Sequence, residues 1–515
     1  MTPSPNRAPD LPQPPSPVDV DLLVVGAGPT GLTAACEALR LGLTVRIVDR
    51  KQGLSTHSKA LVTHARTMEV LETMGVADAM LEAGVPFAAL NAHAGPGRRP
   101  TRVDLLGLPW GDTSYPFWLS IPQYATEQVL EQHLQNLGGA VEWGTTFADL
   151  DDRGDHVVAR IEVGGEPQEV RARWVIGCDG GRSTVRDQIG LRLDRRESGV
   201  RFLLADVAGT APLVEDEGYA YLAPEGLLII VPVPEPGRWR IIAHVDDAEE
   251  RTIDAAYLDD LIAERTGLDF GARDVGWTSR FTLSHGVADA YRRGRVFLAG
   301  DAAHVHSPVG GQGLNTGIQD AHNLVWKLAE SGRAQSRAAA EALLDSYERE
   351  RRAAGAKMVA TVARMTALIT VRNRGIRRVL GWIAPRALAL PRLHARLGRG
   401  AGMLETAYPD GPMDAGPGAG RRLPDPELAD GRRLSARLPG TGWCWVVRTR
   451  AGDATPDLEG PRWRGLPVVV VREEELLDGG RAGSLDHPIA LVRPDRVLAG
   501  VGSAPEELRP PTLGG

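Results

Sequence analysis

The chain is short of cysteine, of lysine and of long apolar runs, and each shortage excludes something. Its 515 residues include three cysteines, Cys36, Cys178 and Cys444. They are far apart, with no CxxC and no Cys/His ligand spacing, so a disulfide framework and a metal site are not expected and a reducing compartment, the cytoplasm, is. Only four of the 59 basic residues are lysine: Lys51, Lys59, Lys327 and Lys357. The arginine excess reads as coding bias rather than as a field of functional guanidiniums. Against 66 acidic residues the formal net charge is −7, which gives no global field to hold nucleic acid or anionic lipid. The longest uncharged stretch near the N-terminus, Leu22–Cys36, is too short and too glycine-rich to span a bilayer, which takes about 20 apolar residues. No nucleic-acid partner and no membrane are expected.

What is present is ordinary for a soluble globular chain: 43% hydrophobic and 24% charged residues, with 60 glycines for tight turns. The length suggests about three packing units. Residues 1–18 carry seven prolines and almost nothing to bury, and read as a disordered arm without a signal-peptide core. Val20–Val25 is a short apolar run with the look of a strand buried on both faces, Pro29–Leu41 a helix opened by proline and closed by Gly42, and Leu43–Val48 a second strand. Together they predict a parallel β-α-β unit. Thr126–Leu137 has helical spacing. Residues 200–245 change character, with strand-like runs at 201–207, 226–233 and 238–245 between Pro/Gly turns, as an antiparallel sheet inserted in the α/β frame would have. From Asn315 to about Leu397 the pattern is mostly helical. Tyr408–Arg422 has a proline or glycine at nearly every second or third place and reads as a linker, and residues 423–510 supply short strands for one small further domain.

The first motif is Gly26-Ala27-Gly28-Pro29-Thr30-Gly31, a G-x-G-x-x-G between strand and helix, with Asp49 closing the next strand and Arg50 beside it. A pyrophosphate needs backbone N–H groups and the positive end of a helix at contact distance, which a Cβ at Gly26 or Gly28 would block, while Gly31 would let helix and strand pack closely. Asp49 would accept from a ribose hydroxyl. Two further strand ends follow the same plan: Arg173-Trp174-Val175-Ile176-Gly177-Cys178-Asp179-Gly180 and Arg295-Val296-Phe297-Leu298-Ala299-Gly300-Asp301. The second leads into another glycine-rich loop, Pro308-Val309-Gly310-Gly311-Gln312-Gly313-Leu314-Asn315. Three strand ends, each with glycine and a carboxylate, suit one extended ligand lying across the carboxyl edge of a sheet.

The trio GAGPTGL, WVIGCDGGRSTVR and GRVFLAGDAAHVHSPVGGQGLNTGIQDAHNLVWKL resembles the three fingerprints of single-component flavin-dependent aromatic hydroxylases of the p-hydroxybenzoate hydroxylase type, in order and spacing from Leu22 to Leu328. YERERR at 347–352 and Val492-Arg493-Pro494-Asp495 resemble the subgroup acting on phenols and aromatic polyketides. The resemblance implies an α/β fold: a Rossmann-like FAD-binding domain (19–190 and 285–400, with a helical extension), an antiparallel-sheet substrate domain (191–284 with parts of 75–120), a linker (401–422) and a thioredoxin-like domain (423–515) lacking CxxC. It implies FAD as cofactor, transient NAD(P)H with NADPH favoured, and O₂, and a small aromatic substrate hydroxylated through a C4a-hydroperoxyflavin. By the same resemblance Gly26, Gly28, Pro29, Thr30 and Gly31 would hold the pyrophosphate, Asp49 and Arg50 the adenosine end, and Lys59, where relatives often have Arg, the phosphates or ribityl chain. Gln123 and Asp301 would take the ribityl hydroxyls, and Asp179 and Gly180 would serve both dinucleotides. Pro308, Gly310, Gly311, Gly313, Leu314 and Asn315 would lie at the flavin, with Pro308 and Gly310 lining the substrate pocket. Ser307 departs from the proline common there. No catalytic base is assigned; His57, His64, His244, His285, His304 and His306 read better as packing or loop residues. Competing readings are a Baeyer–Villiger oxygenase on the same scaffold, a flavin-dependent halogenase, disfavoured because Trp443-Cys444-Trp445 lies in the last domain with Arg448 where the pattern needs proline, and a non-catalytic flavin-binding protein. Homodimerisation stays open.

Overall fold

The structure is a computed structural model that describes residues 18–55, 60–93, 100–245, 251–307, 310–369, 396, 398–408, 418–449, 462–463, 465–476, 488–502 and 508. The N-terminal arm up to residue 17, His57, Lys59, Pro308, the 370–395 part of the expected helical stretch and the middle of the proline-glycine segment (409–417) lie outside them.

Val20–Val25 forms the first strand (β1), with Leu22, Leu23 and Val24 fully buried. Such a side chain contributes about 1.5–3 kcal/mol when removed from water. Apart from the half-buried Asp21 the run is apolar because parallel neighbours flank it, Glu166–Gly177 on one side and Val45–Asp49 on the other. Helix Pro29–Arg40 (α1) begins on proline, which brings a preset φ and no N–H to orphan, and stops before Gly42 at φ +80. The main sheet runs 292–293, 296–298, 166–177, 20–25, 45–49, 141–143, with a hairpin of 145–152 and 157–163 attached. The five strands from 296–298 to 141–143 are mutually parallel. Their carboxyl ends therefore share one edge.

A second eight-stranded sheet is built in the order 304–305, 273–287, 196–208, 238–245, 226–232, 217–223, 89–93, 101–104. Alternation gives it two faces. One, with Leu203, Ala205, Val207, Leu228, Ile230, Ile241 and Ala243, packs under helix Ala255–Thr266 through Tyr257, Leu258, Leu261 and Ile262. The other carries Phe202, Leu227 and Leu283 and is not covered by that helix.

A third sheet orders 462–463, 466–472, 444–449, 489–492, 498–502, with 444–449 parallel to 466–472 and antiparallel to 489–492, a mixed arrangement. Trp443 and Trp445 are buried there, Trp443 crossing Trp326 edge-on at 5.7 Å. The described flanks of the proline-glycine segment are hydrogen-bonded into the fold: Tyr408 donates its N–H to Gly420, and Gly420 donates to Leu498.

Helix Gln312–Ser331 runs from the second glycine loop, three residues earlier than periodicity predicts, because Gly311 takes φ +63 and turns the chain into it. It packs on α1 and on the long helix Arg337–Ile369. Between these helices and the third sheet lies a dry ionic cluster. Glu350 accepts from Lys327 Nζ (2.8 Å), from Arg493 through both oxygens (2.8 and 2.9 Å) and from Asn323 (2.8 Å). Arg493 also clasps Asp495 at 2.9 and 2.7 Å, and the Asp495 carbonyl accepts from Arg66. None of Lys327, Glu350, Arg493 or Asp495 is more than 3% exposed.

All three cysteines are unpaired. Burial pushes the Cys36 thiol up to about 12 and Cys444 up to about 11, and raises Cys178 as well. Since the thiolate is the reactive form, a disulfide reagent at mildly alkaline pH is expected to titrate none of the three quickly in the native protein and all three after unfolding.

Candidate cofactor site

The edge of the main sheet collects the motifs. β1 ends at Val25 before Gly26, its parallel neighbour ends at Gly177 before Cys178 and Asp179, and the strand beyond ends at Leu298 before Gly300 and Asp301. Each glycine of the first loop answers a different demand. Gly26 sits at φ +104, and a Cβ there would collide with the Cys178 carbonyl. A Cβ at Gly31 would overlap the Gly26 carbonyl oxygen. Gly28 alone of the three has nothing within 4 Å of a built Cβ and has an extended backbone that any residue adopts. The demand at Gly26 is thus contact with the second motif rather than with a ligand, while Gly28 opens on free space at the start of α1. That helix begins with no side-chain cap and no acidic residue in its first turn, so its positive end is uncompensated from within.

Asp49 is 9% exposed; one oxygen accepts from the Ala27 N–H at 2.8 Å and the other from Lys51 at 2.9 Å. It holds the glycine turn in place and keeps lone pairs for a hydroxyl. Arg50 is exposed beside it. Asp179 accepts from the Val185 N–H at 3.1 Å through Oδ2, but its Oδ1 is buried without a partner, and burial pushes its pKa up. An orphaned buried acceptor of this kind is a place for a ligand donor. Gly180 follows at φ +84 with open space above it. Thr30 fills the notch left by Gly300 and Gly317, so it locks α1 to the third motif.

Asp301 is exposed at the same edge. The turn that presents it is fixed from beneath by Asp320, which sequence reading missed although it lies within the third fingerprint. One Asp320 oxygen accepts from the Gly300 N–H (3.0 Å) and from His304 Nε2 (2.8 Å), the other from Arg351 Nε (2.7 Å). Burial alone would raise this carboxyl, yet Arg351 and His304 hold it below the ordinary range.

The last loop has Gly310 at φ +82 and Gly311 at φ +63 before the Gln312–Ser331 helix, whose N-terminus also lacks a side-chain cap. The N–H groups of Gln312, Gly313 and Leu314 have no acceptor inside the helix. The Asn315 side chain is buried and committed: it donates to the Val62 and Gly311 carbonyls at 2.8 and 2.7 Å and accepts from the His64 N–H at 2.8 Å. Any ligand contact there falls to the backbone. Gln123 begins a helix and donates from Nε2 to Glu127 at 2.8 Å. Among the histidines, His244 leans on Phe202, His304 pairs with Asp320, and His306 contacts the Ser307 carbonyl at 2.6 Å, pushed down to about 4 by burial and by neighbouring His304. Neutral at working pH, His306 bears on Gly313, whose added Cβ would lie 3.0 Å from its ring.

A long two-ended nucleotide fits this edge on three grounds: the cradle at Gly28 that a Cβ would fill, the orphaned Asp179 oxygen, and two uncapped helix N-termini facing the same rim. Residues 19–362 match the FAD binding domain family. The chain belongs to that family. It is also similar along its length to 6-methylpretetramide 4-monooxygenase of Streptomyces rimosus, 34% identical with 95% of this chain and 92% of the relative covered. With pentachlorophenol 4-monooxygenase of Sphingobium chlorophenolicum it is 33% identical over 90% of this chain and 87% of that one. The solved anhydrotetracycline hydroxylase from Streptomyces rimosus superimposes with a TM-score of 0.75 at 31% identity, covering 95% and 96% of the two chains. This flavoprotein has the p-hydroxybenzoate hydroxylase type of fold and is an FAD-dependent monooxygenase using NAD(P)H and dioxygen. Among the described residues no helix is long and apolar enough to cross a membrane.

Proposed function

We propose that this monooxygenase hydroxylates a fused-ring phenolic compound of the aromatic polyketide type, in the cytoplasm. The observation that carries this reading is the second face of the eight-stranded sheet. Beside buried Phe202, Leu227 and Leu283 it presents Val200, Leu222, Ile229, Ile242 and Phe281, all only half-buried, with Phe202 and Phe281 stacked at 6.4 Å. Half-buried apolar side chains in one continuous patch mark a surface that a flat apolar ligand completes. On the same face Arg240 grips Asp206 through two hydrogen bonds of 2.7 Å and donates to the Ala60 carbonyl at 3.2 Å. This clamps the patch against the chain beside residue 59, and so against the cofactor unit. Two of the relatives named above carry 6-methylpretetramide and anhydrotetracycline in their names and the third pentachlorophenol; the extended apolar face is what favours the larger kind of substrate here.

In this reading Gly28, Pro29 and Thr30 at the start of α1 hold the FAD pyrophosphate, Asp49 the adenosine ribose, and Asp179, Gly180, Gln123 and Asp301 the chain between the two ends. The amides of Gly313, Leu314 and Asn315 face the pyrimidine end, Gly310 and Gly311 let the backbone lie close to the ring, and Lys59 and Pro308 take the roles the resemblance gives them. Gly26 and Gly31 shape the turn. Bound FAD supplies hydride acceptance and oxygen activation; the protein orients the ring to be hydroxylated, excludes water and stabilises negative charge at the helix end. The units at 191–284 with parts of 75–120, at 19–190 with 285–400, and at 423–515 divide these tasks as substrate platform, cofactor frame and structural brace.

The test is NADPH oxidation by the purified FAD-loaded protein with single-ring phenols, naphthoquinones and fused-ring phenols. Fused-ring phenols are expected to stimulate consumption and to yield a product heavier by one oxygen with its ring count unchanged. Stimulation by single-ring phenols alone overturns the reading. Ile242→Trp, which fills the patch, is expected to raise KM for the fused-ring substrate on the order of tenfold and to spare a single-ring one.

A further inference from the structure

We propose that His64 is a positioning residue for the flavin-facing loop, fixing the Gly310 carbonyl in full only as an imidazolium and taking up a proton when the cofactor becomes anionic. His64 is 1% exposed. Its Nδ1 lies 2.6 Å from the Ala401 carbonyl and its Nε2 lies 2.9 Å from the Gly310 carbonyl. A neutral imidazole has one N–H, so it can donate to only one of these oxygens and turns a lone pair on the other. Only the doubly protonated ring satisfies both. The Ala401 carbonyl already accepts from Trp118 Nε1 at 2.8 Å, and Trp118 closes the ring's side edge-on at 5.6 Å. With the proton on Nδ1 the Gly310 carbonyl faces a lone pair, and the loop loses its anchor at the residue before Gly311.

His64 is tied to this loop a second time: its own N–H donates to Asn315 Oδ1, and Asn315 returns hydrogen bonds to Gly311 and Val62. The ring and the first turn of the Gln312–Ser331 helix therefore move together. The charged side chains on the neighbouring elements are committed elsewhere. Arg66 and Glu69 on helix Ala65–Met74 pair at 3.0 Å, Glu69 also takes Arg422, and Arg399 pairs with Glu405 at 3.2 Å. His306 lies across the loop beside Gly313 and is itself held neutral. Without a carboxylate partner, burial pushes the His64 pKa down, and the carbonyl contacts only partly oppose this. The ring waits neutral for a negative charge nearby. This inference rests on the reading that the pyrimidine end of FAD meets the amides of residues 313–315. Hydride transfer from the nicotinamide brings two electrons and one proton and adds one negative charge to the cofactor. A second proton, from solvent, then goes to the free ring nitrogen of His64.

The experiment is the potential of bound FAD, measured against reference dyes from mildly acidic to mildly alkaline pH in the FAD-loaded wild type and in His64→Asn. The wild type is expected to take up two protons per two electrons at the acidic end, falling toward one as pH rises, while the reduced-flavin absorbance stays that of the anion. His64→Asn, which can donate to one carbonyl, is expected to take up one proton throughout and to favour reduced over oxidised FAD on the order of tenfold less at acidic pH. An unchanged pH dependence in His64→Asn overturns the proposal. If that variant does not fold, a wild type that takes up a single proton across the acidic range, or whose reduced flavin itself becomes neutral there, overturns it equally. A wild type that binds no FAD sinks the cofactor placement instead, which keeps the two failures apart.

Discussion

Gly28→Val is expected to give a folded, colourless protein. A Cβ built at Gly28 meets no protein atom within 4 Å, and the extended backbone at φ −79, ψ −177 suits a β-branched residue. Nothing internal resists the change. It occupies the space where the pyrophosphate would approach the first N–H groups of α1, and losing two charge-assisted hydrogen bonds at about 1.5–3 kcal/mol each weakens binding roughly 10²-fold to 10⁴-fold. Gly31→Ala should behave in the opposite sense. Its Cβ overlaps the Gly26 carbonyl oxygen, so the turn itself must open, and the loss appears in the unfolding curve of the apoprotein. The comparison needs only flavin absorbance after desalting and circular dichroism on both variants. Stoichiometric flavin retained by Gly28→Val sinks the pyrophosphate placement; an apoprotein of Gly28→Val as unstable as Gly31→Ala shows the space to be structural.

The second large effect is expected at Glu350→Gln. The cluster of Lys327, Glu350, Arg493 and Asp495 balances two positive against two negative charges, nearly all out of water. Neutralising Glu350 leaves an excess buried cation, and removing one partner of such a pair costs about 3–5 kcal/mol. The midpoint of thermal unfolding should fall on the order of 5–10 °C. Lys327→Met added to Glu350→Gln removes the excess charge at similar volume and should recover much of the loss, a non-additivity that a merely additive packing defect would not show. The pH dependence has a definite sign. Arg493 and Lys327 hold the Glu350 carboxyl well below the usual range despite its burial, so its stabilisation is present above the unfolded carboxylate pKa and is lost as pH falls through the folded one. Lys327 is pushed down to about 8 by burial. The unfolded chain then binds more protons between about 8 and the ordinary lysine value, and this group alone makes stability rise with pH there. Acid unfolding of the Glu350→Gln variant should accordingly be shallower than that of the wild type.

Much of the frame was legible because local rules decided it. The apolar run at 22–25, proline opening α1 and glycine closing it are consequences of parallel neighbours and of backbone geometry, and they are where periodicity puts them. The three strand ends could be grouped because each repeats strand, glycine, carboxylate. What sequence could not show depends on residues far apart in the chain. Gly26 is glycine because of Cys178, some 150 positions on, and Asp320 serves Gly300 through a hydrogen bond that no spacing announces. His64 reads as a packing histidine until Gly310 and Ala401 are seen at its two nitrogens. The ionic cluster was visible only as the fragments YERERR and VRPD; their meeting on Glu350 required the third sheet to be in place.

The main sheet seats its 296–298 strand next to 166–177 only after nearly 120 intervening residues, which supply most of the second sheet. The rim therefore has no precursor in any shorter stretch of polypeptide, and on the cofactor placement proposed above a chain emerging from the ribosome does not hold FAD until the helix at 312 has been made. Closing such distant contacts is slow, and a ligand that binds only the finished state stabilises it by mass action. Yellow colour in this protein is thus a readout of completed maturation, and cells short of riboflavin should accumulate a form more open to proteases.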